Sequence, residues 1–264
     1  MKRRHFTAIA ALGSAAALLP AASQAQVTDL NDAINKAGRQ RMLSQRMAKS
    51  YLAEGEGVAP ELAQRTLAGS MALFDRQLVE LKVFAPLPEI KSTYGKLEGV
   101  WSDYKAALVG SKPAKAQAET VLELAGKVLA LAHQGTVQLE KVSGKPVGHL
   151  VNVSGRQRML SQRMAAFYLS TSWGVQAATS TTEMKKARDE FVAAHDVLKK
   201  APEATPAIKA ELELAEIQFS FFDDALRTLR PGAPDTGQMT NVFTTSERIL
   251  QVMDGVTGMY SKLS

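Results

Sequence analysis

The sequence predicts an all-α protein: two tandem, antiparallel four-helix bundles related by an internal pseudo-twofold axis. Three observations predict it. Between clusters of glycine and proline, apolar residues recur at three- and four-residue spacing, the period of a helix with one buried face. No segment sustains the alternation of a half-buried strand. And "GRQRMLSQRMA" occurs twice, at 38–48 and at 155–165, letter for letter and 117 positions apart.

The chain has 264 residues, 45% of them hydrophobic, enough to build a large core. Residues 1–25 are expected outside that core. "MKRRHF" is a basic start, a small apolar run follows, and "SQA" precedes Gln26, the pattern of a signal peptide cleaved near Ala25. Arg3 and Arg4 ahead of Phe6 suit a twin-arginine signal, so the expected destination is the periplasm. Losing Lys2, Arg3 and Arg4 lowers the formal net charge from +6 to +3. That modest charge, without arginine–aromatic interleaving, argues against nucleic acid as a partner. Cysteine is absent, which excludes disulfides and thiolate metal sites.

From Thr28, a candidate N-cap, the first helical segment runs into "EGEGVAP" at 54–60. The second ends at "APLP", 85–88, the third at "GSKPA", 110–114, and the fourth at "SGKPVG", 143–148. A weaker boundary, "GVQAATSTT" at 174–182, ends the fifth. The sixth ends at "APEATP", 201–206, where Thr205 is placed to cap the seventh. "RPGAP" at 230–234 ends the seventh, and Asp235 is placed to cap the eighth.

The duplication extends beyond the motif. Phe74 and Leu81 match Phe191 and Leu198 at the same offset of 117. Pro88, Ile90 and Lys91 match Pro206, Ile208 and Lys209 at 118, and Trp101 and Tyr104 fall opposite Phe219 and Phe222. "KVL" at 127–129 answers "RIL" at 248–250 at 121, a drift expected of small loop insertions. The repeats are therefore residues 27–143 and 145–264. With short loops, the fourth helix ends where the first began, so the two motif helices should run parallel and meet. The chain is then a monomer built as an internal pseudo-dimer.

On a helical wheel, Ile34, Ala37, Gly38, Arg41, Gln45, Ala48 and Leu52 lie within about 60° of one line. Val151, Ser154, Gly155, Arg158, Gln162, Ala165 and Leu169 repeat that stripe. Arg39 and Arg46 lie roughly 100° away or more, on a face read as more exposed. Each stripe puts an arginine where another helix should pack, one turn after a glycine that permits close approach. A buried arginine needs a counter-charge, and its own helix has none between Asp32 and Glu54, or between Glu140 and Glu183. Two arrangements remain open. A carboxylate on a neighbouring helix pairs with it, or Arg41 and Arg158 converge on one small anion through bidentate hydrogen bonds.

Met42, Met47, Met159 and Met164 read as packing residues, and the histidines have no ligand spacing, so neither metal nor cofactor is expected. No nucleophile–base pair or phosphate loop is evident, and the chain does not read as an enzyme.

"AINKAGRQRMLSQRMAKSYL" and "LVNVSGRQRMLSQRMAAFYL" share an Asn-x-x-Gly-x-x-Arg-Met-x-Ser-x-Arg core. They resemble the opening helix of the PilJ/NarX-type sensory domain of type IV pilus chemotaxis transducers and nitrate/nitrite sensor kinases. Arg39-Gln40 and Leu43-Ser44-Gln45 follow the pilus-transducer form. The resemblance implies a periplasmic four-helix bundle. In the kinases, one nitrate or nitrite sits between two such helices, held by a motif arginine from each and by nearby glycine backbone. Carried over residue by residue, these are Arg41, Arg158, Gly38 and Gly155, with Gln45 and Gln162 one turn further on. The expectation is an exported, soluble sensor-type module that binds a small oxyanion, nitrate or nitrite first, accessory to a membrane sensor, transducer or transporter. The alternative is a ligand-free helical adaptor that docks to a membrane transducer or envelope complex.

Overall fold

Proline stands in the first turn of four of the eight helices found among the described residues, where its missing N–H costs nothing. The computed structural model describes residues 26–263, with α1 (Leu30–Gly55), α2 (Pro60–Phe84), α3 (Pro88–Val109), α4 (Lys115–Ser143), α5 (Pro146–Ser172), α6 (Ala177–Lys200), α7 (Pro206–Leu226) and α8 (Thr236–Ser261). The signal-peptide reading of residues 1–25 lies outside them. No helix among the described residues is long and apolar enough to cross a membrane.

The caps follow local chemistry. Thr205 Oγ1 accepts from the Ile208 amide at 3.3 Å, and Asp235 Oδ1 from the Gln238 amide at 3.0 Å. At α1 the cap is Asp29, not Thr28: Asp29 Oδ1 accepts from the Asp32 amide at 2.9 Å. The α1–α2 and α5–α6 turns share a left-handed glycine, Gly57 and Gly174, followed two residues later by left-handed Ala59 and Gln176.

Neighbouring helices run antiparallel in each half. In the first, Gln40 Nε2 donates to Phe74 O at 3.4 Å, joining α1 to α2. Trp101 Nε1 donates to Asp75 at 2.7 Å, joining α2 to α3, and α4 closes against α1 and α3. In the second, Gln157 Nε2 donates to Phe191 O at 2.8 Å, and α8 closes against α5 and α7. Each half pairs its aromatics at the same place: Phe74 lies tilted against Trp101 at 4.2 Å, and Phe191 stacks on Phe219 at 4.3 Å, between ring centroids.

The largest interhelical contact is α1 against α5. A Cβ on Gly148 would meet Ile34, one on Gly38 would lie 3.9 Å from the Gly155 Cα, and one on Gly55 would strike the Trp173 ring. These contacts keep nearly constant register from one end to the other, so the two helices run parallel, as the short central link requires. The start of α1, the end of α4, the start of α5 and the end of α8 accordingly cluster at one end of the molecule. Each half also reaches across the seam, α8 touching α1 and α4 touching α5.

Candidate functional site

Arg41 and Arg158 sit in the middle of the α1–α5 seam, with side chains carried inward by the stripe that buries Ile34, Ala37 and Leu52. They are 1% and 0% exposed and rank as the largest fully buried side chains. Arg41 Nη2 donates to Asn152 O at 3.1 Å, and Arg158 Nη2 donates to Asn35 O at 3.1 Å. Asn35 and Asn152 are themselves the paired asparagines of the motif, so the bonds are reciprocal. Gly38 and Gly155 make the exchange possible. A Cβ on Gly38 would lie 3.2 Å from Arg41 Nη2 and 3.4 Å from Arg158 Nη2. One on Gly155 would lie 3.1 Å from Arg158 Nη2 and 3.6 Å from Arg41 Nη2. Both guanidinium groups thus converge on the glycine crossing. The Nε of each is buried without a hydrogen-bond partner.

Gln45 and Gln162 lie one turn deeper, and their amides are committed to neighbouring backbone. Gln45 Nε2 donates to Ala125 O at 3.3 Å and Gln162 Nε2 to Ser246 O at 2.9 Å, tying each motif helix to the last helix of its own half. Gln45 Oε1 also accepts from Arg163 at 3.2 Å. The structure brings Arg41, Arg158, Gly38 and Gly155 together and leaves the two glutamines beside them in a tethering arrangement.

The arginines differ in what neutralises them. Arg158 Nη1 donates to Asp254 on α8, which also takes Arg39 at 2.8 Å. At the offset of 121 set by "KVL" and "RIL", the counterpart of Asp254 is His133 on α4. Arg41 Nη1 donates to His133 Nδ1 at 3.3 Å, which leaves the imidazole proton on Nε2. Among the described residues, no carboxylate lies within ion-pair distance of Arg41.

Electrostatics record the difference. Burial, then repulsion from Arg156 and Arg158, pushes the Arg41 guanidinium down to about 9, still charged at neutral pH. Burial pushes Arg158 to about 10 against the pull of Asp254. Burial alone would raise the Asp254 carboxyl, but Arg158 and Arg39 together hold it below its ordinary value. His133 is lowered by burial and by Arg41 and Arg156. Tyr94, on α3, is raised by burial, and its hydroxyl has no hydrogen-bond partner.

Arg39 and Arg46 are more exposed than Arg41, as their place on the wheel implies, but their face is not open to solvent. Both are half-buried beneath α8. Arg46 Nε donates to Glu247 at 3.0 Å, and fully buried Lys49 donates to the same carboxylate at 2.6 Å. A single-helix wheel cannot see a helix of the other half laid across its outer side.

No curated protein and no solved structure matches this chain. The sequence model for type IV pili methyl-accepting chemotaxis transducer N-terminal domains (PilJ) matches residues 23–129 and 143–221, one segment over each motif copy. With most of its length matched, and with a motif arginine and glycine of each copy meeting at the α1–α5 seam, the chain belongs to the PilJ family of type IV pili methyl-accepting chemotaxis transducer N-terminal domains.

Proposed function

We propose that this protein is an exported sensory module of the PilJ family that holds one small oxyanion, nitrate or nitrite first, between its two motif helices. The chain acts as a monomer in which repeats 27–143 and 145–264 face each other across a pseudo-twofold axis, and it serves a membrane sensor, transducer or transporter. One observation carries this reading: two fully buried guanidinium groups converge on the Gly38–Gly155 crossing, and among the described residues no carboxylate lies within ion-pair distance of one of them, Arg41. Two facing cations in a buried seam repel, and an anion between them would relieve that repulsion through charge-assisted bonds. Export through the periplasmic route rests on Arg3 and Arg4.

Calorimetry and thermal shift on the mature chain with nitrate, nitrite, sulfate, phosphate and chloride test it. One anion per chain is expected. Arg41→Ala and Arg158→Ala should each cost about 1.5–3 kcal/mol of binding, without adding in the double variant. Two anions per chain with additive losses would place separate sites in the two halves.

A specific feature favours the adaptor reading as a second possibility. Leu214, Ile217 and Phe221 form an exposed stripe on α7, and Phe221 is 65% exposed. Their counterparts on α3 are Lys96, Gly99 and Asp103, so the stripe belongs to one half alone. No anion binding, with Phe221→Ser abolishing capture of a membrane transducer's periplasmic region, would put the adaptor ahead.

A further inference from the structure

Two grooves flank the α1–α5 pair, and their walls correspond position by position. One lies where α8 crosses α1, the other where α4 crosses α5. Arg39, Met42 and Arg46 line the first, and Arg156, Met159 and Arg163 line the second at the offset of 117. The opposing wall exchanges Gln251 for Ala130 and differs in charge at two further places. The first groove carries Glu247 and Asp254, and the second carries Gly126 and His133.

The consequence is chemical. In the first groove Glu247 takes Arg46 and Lys49, and Asp254 takes Arg39 and Arg158. In the second, both of those carboxylates are replaced, and the counterpart of Lys49 is Ala166. Arg156 and Arg163 turn to α6 instead, pairing with Glu190 and Glu183 at 2.7 Å each. Arg41 receives no carboxylate. It lines a cavity of about 210 Å³ whose wall includes His133 and Gly126, and a Cβ on Gly126 would meet nothing within 4 Å. Arg41 is buried, and its Nε has no hydrogen-bond partner.

We propose that the groove between α4 and α5 is a binding site for a small carboxylate-bearing ligand, whose carboxylate takes at Arg41 the place that the Asp254 carboxylate takes at Arg158. The second half of the molecule carries its own occupant, and the first half takes its occupant from solution. A planar carboxylate suits a guanidinium fork better than a spherical or tetrahedral ion, and at Arg158 the equivalent place is held by a carboxylate, that of Asp254. The volume lies below the ~300 Å³ at which drug-sized ligands begin, so the ligand is a metabolite of a few carbons. Arg156 and Arg163 are already paired, so it is Arg41, without a carboxylate at ion-pair distance among the described residues, that favours anions over neutral molecules. The proposal shares with the preceding section the premise that Arg41 contacts a ligand, but it places that ligand in a side groove that Arg158 does not line.

The test is calorimetry and thermal shift of the mature chain with acetate, succinate, nitrate and chloride, on wild type, His133→Asp, Gly126→Glu and Gln251→Ala. Acetate or succinate should raise Tm in the wild type more than equal concentrations of nitrate or chloride. His133→Asp supplies the missing carboxylate from the protein itself. It should raise the ligand-free Tm and weaken carboxylate binding by about tenfold or more, the span of a charged hydrogen bond. Gly126→Glu should weaken it as well, whereas Gln251→Ala, in the first groove, should leave it within about threefold. Carboxylates without effect on the wild type would overturn the proposal, as would unchanged carboxylate binding in a folded His133→Asp variant. Nitrate binding that depends equally on Arg41 and Arg158, with carboxylates inert, would also overturn it while supporting the site at the glycine crossing. Carboxylate binding lost only in His133→Asp and Gly126→Glu would support the groove and reject the crossing.

Discussion

Gly38 and Gly155 face each other across the α1–α5 seam: a Cβ on the first would stand 3.9 Å from the Cα of the second. Each glycine forgoes ~1 kcal/mol of helix propensity relative to alanine. Here the loss secures a crossing at which two buried guanidinium groups reach the opposite backbone.

That relation predicts opposite outcomes for glycines in the same helical conformation. Gly155→Val pushes a branched side chain into both guanidinium groups and should destabilise the protein by about 1–3 kcal/mol, the usual cost of overpacking. Gly69→Ala, exposed on α2 with nothing within 4 Å of the new Cβ, should stabilise it by about 0.5–1 kcal/mol. Urea denaturation of both variants measures the contrast. Equal effects would mean that the crossing is looser than these distances require.

The unequal partners of the arginines predict unequal mutants. Asp254→Asn leaves Arg158 buried with a neutral partner and should cost about 3 kcal/mol, at the low end for breaking a buried pair, because Asp254 keeps part of its surface in water. His133→Asn at the equivalent position removes no charge and should cost less than about 1 kcal/mol. Chemical denaturation at neutral pH decides it, and matching losses would contradict the asymmetry.

Much of this arrangement is legible in sequence, and the reasons are local. Glycine and proline clusters mark the helix ends because those residues act on the backbone wherever they stand. The stripe from Ile34 to Leu52 marks Arg41 as inward, because periodicity reports which face is buried. What the stripe cannot report is who packs on the opposite face. Arg39 and Arg46 therefore read only as more exposed than Arg41, and the cover that α8 lays over them is invisible to the wheel. The exchange of Asp254 for His133 is written in the chain, but only "KVL" and "RIL" align the fourth helices of the two halves. Thr28 and Asp29 are both good caps, and only the path of the backbone chooses between them.

Acid stability should be governed in part by Glu247. Burial works to raise its carboxyl, but Lys49 and Arg46 overrule it and hold it at about 2, against an ordinary 4.5. A depressed carboxyl contributes stability that is complete above about pH 4.5 and is lost as pH falls toward 2, because the unfolded chain then binds the proton more readily. Denaturant midpoints taken from pH 6 down to 2.5 should fall through this window, and Glu247→Gln should flatten the slope while lowering the plateau. An unchanged slope would assign the acid limb to other carboxylates.

His133 makes the last prediction, and its sign is opposite to that of a histidine held charged by a partner. Burial, Arg41 on α1 and Arg156 on α5 all disfavour its protonated form, against weaker pulls from Glu190 on α6 and Glu140 on its own helix. The folded-state pKa therefore lies below the ordinary 6.5. In the unfolded chain those neighbours are gone, so the unfolded state takes up more protons as pH drops through 6.5. The His133 contribution should accordingly be lost from pH 7 toward 5, while the buried Glu56 carboxyl, raised to about 8, works in the opposite sense over the same window. His195, also buried and lowered, adds to the same loss, with neither ring nitrogen in a side-chain hydrogen bond. His133→Gln and His195→Gln should each shift the slope toward the rise on acidification that Glu56 contributes, and the difference between variant and wild type isolates each histidine. If the His133→Gln variant keeps the wild-type slope unchanged, His133 is not disfavoured in its charged form, and the positive surroundings inferred for it beside Arg41 are wrong.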